Sequence, residues 1–140
     1  MLRAVLDANV FVSATLRPTG PPGKVLEAWH AARFHLVISE AILAEIGRVL
    51  RYPKIGRRYQ VSEDEVRTIL DDLRHLAILV WPTRTLHVVT SDASDNRYLE
   101  CALEGRADCV VTGDRHLLSL GEYGRFRLLT PREFLGRLQP

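Results

Sequence analysis

The stretch Arg3-Ala4-Val5-Leu6-Asp7 decides the fold, because it is a short apolar run that stops on an acid. A run of that length reads as a strand buried on both faces, the habit of parallel sheets. The pattern returns at Asp108-Cys109-Val110-Val111-Thr112, which again stops at polar residues, Gly113 and Asp114. Phe34 to Ile38, Ala77 to Trp81 and Phe126 to Leu129 read as three further strands. Leu86 to Val89 is a shorter apolar piece that fits no class.

Helical patterns fill the intervals. After the loop composition of Thr19 to Gly23, residues Val25, Leu26, Trp29 and Ala32 recur at helical spacing. Ser39 is a good N-cap, and Ile42, Ile46, Val49 and Leu50 mark the buried face of a helix that Pro53 ends. A second capped helix starts at Ser62, with Val66, Ile69, Leu70 and Leu73 as its stripe and Glu63, Asp64 and Glu65 at its positive end. This pair of helices is expected to project from the core. Further helices begin near Asp95 and at Thr130-Pro131. Strands alternating with helices predict a three-layer α/β/α domain around a central, mostly parallel sheet of four to five strands. One such domain accounts for residues 1–140, and Trp29 and Trp81 are expected in its core.

Composition excludes little. Hydrophobic residues make 46% and charged residues 26% of the chain, as in an ordinary soluble domain, and no apolar run approaches the length needed to cross a bilayer. A cytoplasmic location, without membrane association, is the expectation. Cys101 and Cys109 lack CxxC spacing and lie in apolar runs, so they read as buried, reduced thiols. A net charge of +2 gives only weak support for nucleic-acid binding.

Four acids carry the chemistry: Asp7, Glu45, Asp95 and Asp114. Asp7 and Asp114 follow strands, and in open α/β sheets groups at strand carboxyl ends gather in one crevice. Glu45 borders the buried stripe of its helix, and Asp95 starts a helix on the face that packs. Each acid also has a bland reading. Asp7 suits an Asx turn, Asp95 and Asp114 suit helix N-caps, and Glu45 suits a pair with Arg48 or Arg51. Together, however, four crowded carboxylates repel one another and raise each other's pKa, a conflict that a cation removes. Mg²⁺ or Mn²⁺ matches such an oxygen-only set, and it suits hydrolysis of a phosphate ester without a histidine base.

The sequence resembles the PIN-domain ribonuclease family and, within it, VapC-like toxins of bacterial toxin–antitoxin pairs. The likeness rests on Leu6-Asp7-Ala8-Asn9-Val10, on residues 39–46 from Ser39 to Ile46, on residues 92–102 from Asp92 to Ala102, on residues 112–118 from Thr112 to Leu118 and on residues 129–135 from Leu129 to Leu135. The family's acidic set falls on Asp7, Glu45, Asp95 and Asp114. The resemblance implies a metal-dependent endoribonuclease leaving 3′-hydroxyl and 5′-phosphate ends. It further implies supporting roles for Asn9, Ser39 and Thr112, a cognate antitoxin protein and a homodimer. Helices over 25–32 and 62–76 are where an antitoxin is expected. Ser94 departs from the pattern, since close relatives often carry another acid there. Asp92 remains as an outer carboxylate or, more simply, a loop cap.

Arg97 and Arg115, each beside a proposed ligand, are candidates to grip the scissile phosphate of an RNA substrate, and His116 also lies nearby. Residues 51–59 interleave basic and aromatic side chains, a mixture that holds phosphates and stacks bases but also suits a solvated loop. Phosphatases of the haloacid-dehalogenase class need a second Asp where Asn9 stands and a suitably placed lysine; receiver domains fail similarly. The alternatives left are a DNA-directed or structure-specific nuclease on the same site and a non-catalytic relative that binds RNA or protein.

Overall fold

The computed structural model describes residues 1–138. Its strands are β1 (Arg3–Leu6), β2 (His35–Ser39), β3 (Ile78–Val80), β4 (Cys109–Val111), β5 (Glu122–Tyr123) and β6 (Phe126–Leu129). They form one sheet in the order β3-β2-β1-β4-β6-β5, parallel throughout except for the β5–β6 pair. All five strands read from the sequence are present, with ends displaced by a residue or two. The sixth, β5, has two residues and so no periodicity to read. It turns back through Gly124, whose φ of 57° is a conformation that glycine adopts without steric cost. Leu86 to Val89 joins no strand.

The helices are α1 (Ala8–Leu16), α2 (Pro21–His30), α3 (Glu40–Leu50), α4 (Pro53–Tyr59), α5 (Glu63–Leu76), α6 (Asn96–Glu104), α7 (Arg115–Leu118) and α8 (Pro131–Arg137). Three of them, α1, α4 and the four-residue α7, go beyond the helices read from the sequence. In α1, Ala8, Val10, Phe11, Val12 and Ala14 are all buried, so the helix is apolar over most of its circumference and shows no stripe. Pro53 does end α3, as expected, but it also supplies the first turn of α4, a position where proline's missing N–H costs nothing.

The result is a three-layer α/β/α domain. Val5, Leu6, Val37, Ile38, Val110 and Val111 are completely buried along the central strands. On the sheet, α6 packs against β1, β2 and β4, while α8 packs against β4 and β6. Phe34 and Phe134 meet edge to face at 4.9 Å between centroids.

Two expectations are corrected. The helix pair does not project as a unit, because Ile42 and Ile46 set α3 into the core and Val66 and Leu73 bury one face of α5. Only α4, between them, has no buried residue. Trp81 is no core residue: it follows the edge strand β3 and is 67% exposed. Trp29 is partly buried against the core. The thiols of Cys101 and Cys109 are free and buried, and burial pushes the Cys101 thiol up to about 12. No helix of the described residues is long and apolar enough to cross a membrane.

Candidate metal and active site

The strand order reverses at β1, with β2 on one side and β4 on the other, which is where α/β sheets open a crevice. Leu6 lies opposite Val111, so Asp7 and Thr112 leave the sheet side by side. The Asp7 N–H donates to the Val111 carbonyl at 2.9 Å and fixes the chain there.

Asp7 is 3% exposed and uses both oxygens. Oδ1 accepts the Asn9 N–H at 3.0 Å, an Asx turn that starts α1, and Oδ2 accepts the Thr112 hydroxyl at 2.7 Å. The Thr112 oxygen in turn accepts the Asp114 N–H at 3.0 Å, and Asp114 Oδ1 accepts the His116 N–H at 2.7 Å, capping α7. A single chain of hydrogen bonds therefore links the ends of β1 and β4.

Asp95 is held differently. It stands at the start of α6 on a 3-10 turn, Ala93–Asp95, yet its side chain caps nothing. Oδ2 is buried without a hydrogen-bond partner. Burial raises its carboxyl to about 7, reinforced by the negative charges of Asp114, Asp92 and Asp7. An unpartnered buried oxygen among other carboxylates is costly in the bare protein and well suited to a cation.

Glu45 reaches the same crevice from α3, but its carboxylate is turned onto Arg48, with Nη2 at 2.6 Å and Nε at 3.1 Å. Arg48 also donates to the Tyr52 hydroxyl and lies 5.3 Å from the centre of that ring. The pairing offered as the bland reading of Glu45 is thus formed. Asp92 caps its turn, accepting the Ser94 N–H at 3.0 Å and the Ser94 hydroxyl at 2.6 Å, and still lines the crevice.

The other expected residues divide. Asn9 and Arg97 line the crevice, Arg97 with its guanidinium 2.7 and 2.8 Å from the Glu100 oxygens. Thr112 stands behind Asp7, fully buried. Ser39 is buried and accepts the Ile42 N–H at 3.4 Å, so it caps α3 and does not face the crevice. Arg115 and His116 are exposed on α7 and do not line it either, which removes both from the immediate wall.

Besides the apolar Ala41 and Ile42, the wall includes two polar side chains not read as site residues, Arg48 and Tyr98. Each follows a site acid by three residues, a spacing that puts side chains on one helix face. The Tyr98 oxygen accepts the Ala8 N–H at 3.1 Å, and burial, then the Asp7 charge, raises its phenol above the ordinary range.

The crevice thus combines Asp7, Glu45, Asp92, Asp95 and Asp114. Among the described residues no three His, Cys, Asp or Glu side chains converge into a ready-made chelating group. The hydrogen bonds account for this, since Arg48 draws Glu45 aside and the capping bonds hold Asp7, Asp92 and Asp114. The donor chemistry, all oxygen and largely carboxylate, fits a hard divalent cation and excludes a soft-metal site.

The model of the PIN domain family matches residues 3–116. The uncharacterized protein MJ1680 of Methanocaldococcus jannaschii is 31% identical over 142 aligned residues, covering 96% of this chain and 90% of the relative. Among solved structures, VapBC2 from Rickettsia felis bound to a DNA fragment from their promoter matches with a TM-score of 0.58 and 15% identity, over 91% of this chain and 97% of that chain. FitAcB from Neisseria gonorrhoeae aligns over 92% of this chain and 98% of that chain, with a TM-score of 0.48 and 15% identity.

Proposed function

We propose, from the premise that this chain belongs to the PIN domain family, that it is a divalent-metal-dependent endoribonuclease and the toxin of a toxin–antitoxin pair. One observation carries the catalytic reading: Asp95 keeps a buried, unpartnered oxygen inside a crevice already lined by Asp7 and Asp114. A fold of this kind gains nothing in stability from that arrangement.

In this reading Asp7, Asp95 and Asp114 hold Mg²⁺ or Mn²⁺, and Glu45 joins them when it leaves Arg48. When bound, the cation supplies charge stabilisation at the phosphate and activation of a hydrolytic water. The protein's own contribution is placement. Thr112 fixes one oxygen of Asp7, Asn9 and Tyr98 brace the α1 start beside it, and the capping bonds of Asp92 and Asp114 set the rim. Arg97, steadied by Glu100, is placed to hold a phosphate at the crevice wall. The fold shared with VapBC2 supports an antitoxin partner, and a homodimer and a cytoplasmic location belong to the same reading.

The test is cleavage of structured RNA, single-stranded RNA and DNA with Mg²⁺, Mn²⁺ or EDTA, comparing the wild type with Asp7→Asn and Asp95→Asn. RNA cutting that needs metal and is lost in both variants supports the proposal. Cutting of DNA alone replaces the substrate, and cutting that survives both substitutions removes the site.

A further inference from the structure

The exposed Trp81 stands in a groove next to the acidic crevice. Ala41 and Arg97 line both, so the two concavities share a wall, and the groove continues past Trp81, Thr83, Arg84 and Thr85. A tryptophan that leaves two thirds of its surface in water is unusual for a chain with a large core.

Of the charges beside it, the Glu40–Arg74 and Glu100–Arg97 pairs balance, and Arg84 supplies the unbalanced positive charge that suits a phosphate backbone. Arg84 is exposed and has no carboxylate partner among the described residues, while Arg97 offers the part of its guanidinium that Glu100 does not occupy. Glu40, also on this wall, is neutralised by Arg74 at 3.0 Å. The segment that carries Trp81 and Arg84 is tied to α6. Glu104 accepts the Thr83 N–H at 3.0 Å, Glu100 accepts the Leu86 N–H at 2.8 Å, and Asn96 accepts the N–H groups of Val88 and Val89 at 2.9 Å. Residues 81–92, which have little regular structure, are thereby strapped to α6.

We infer that this groove carries the unpaired nucleic-acid strand next to the scissile bond, with one base stacked on Trp81 and its phosphates on Arg84 and Arg97. Aromatic platforms flanked by arginines hold single strands without reading sequence. The inference deepens the nuclease reading and rests on it for the direction of the strand.

The test is binding of RNA and DNA 12-mers to the full chain in Ca²⁺, followed by fluorescence anisotropy and by quenching of Trp81 in a Trp29→Phe background. Cleavage kinetics accompany it in Mn²⁺. The expected result is strong quenching, about tenfold weaker binding for Trp81→Ala, a smaller loss for Arg84→Ala and near-recovery for Trp81→Phe. The loss should fall on KM more than on kcat. Equal losses with RNA and DNA assign the groove to the shared base and phosphate chemistry; loss with RNA alone assigns it to RNA.

Wild-type binding that Trp81→Ala leaves unchanged overturns the groove and spares the nuclease reading. Trp81-dependent binding without cleavage does the reverse. No binding by any form overturns both. A Trp81→Ala chain that changes oligomeric state in sedimentation while binding oligonucleotides normally makes this face a protein contact and also overturns the inference.

Discussion

The Thr112 hydroxyl donates to Asp7 Oδ2 at 2.7 Å across 105 residues of sequence, and Thr112 Oγ1 itself accepts the Asp114 N–H at 3.0 Å. A fully buried threonine thus sets the spacing of two crevice acids. Thr112→Val keeps the shape and removes both bonds, so it should cost about 1–3 kcal/mol in urea unfolding. Thr112→Ser, which keeps the hydroxyl, should stay within roughly 1 kcal/mol of the wild type. In cleavage assays Thr112→Val should lose most of its rate and Thr112→Ser little.

Asp95 predicts a stability profile. Its folded carboxyl titrates near 7, above the ordinary aspartate value, so the folded state binds more protons than the unfolded state between about pH 4 and 7. Stability from this group is therefore lost as pH rises through that window. In EDTA, Asp95→Asn should be more stable than the wild type at pH 8, by on the order of 2 kcal/mol, with the advantage vanishing near pH 4. Denaturant unfolding at both pH values checks this, and a destabilised Asp95→Asn protein at pH 8 would contradict it.

Cation binding should reverse that profile. Mg²⁺ or Mn²⁺ at about 100 times its dissociation constant should add roughly 2.7 kcal/mol to wild-type stability and flatten its pH dependence. Neither effect should survive in Asp7→Asn or Asp95→Asn. Thermal melts with and without metal read this independently of any substrate.

Arg48 competes for Glu45. Arg48→Ala removes the 2.6 Å contact and a positive charge from the crevice wall, so Mn²⁺ should bind several-fold tighter, while the melting temperature changes little because the pair is solvent-exposed. Isothermal titration measures it. Unchanged or weaker Mn²⁺ binding would show that Glu45 is not a ligand held in reserve.

The sequence made the sheet legible because its strands are short apolar runs closed by polar residues, and because parallel topology sends their carboxyl ends to one place. The same logic located Asp7 and Asp114. It did not reveal α1, whose helix is apolar almost all round, or α4, which begins at the proline that ends α3. The capping alternatives proved compatible with the site: Asp7 and Asp114 each make a local turn or cap while facing the crevice. Asp95 differs in making no cap, a distinction that depends on the geometry of the Ala93–Asp95 turn and leaves no mark on residue order. Trp81 was misplaced because an apolar strand pattern ends on it, and nothing in the pattern tells an edge strand from a central one.

The pairing of β1 with β4 also orders events during synthesis. Asp7 leaves the ribosome more than a hundred residues ahead of Thr112 and Asp114, its neighbours on the far side of the crevice. Until β4 has emerged, a nascent chain therefore carries Asp7 without the partners that hold it. The acids of the crevice come together only after Asp114, the last of them in the chain, has been made.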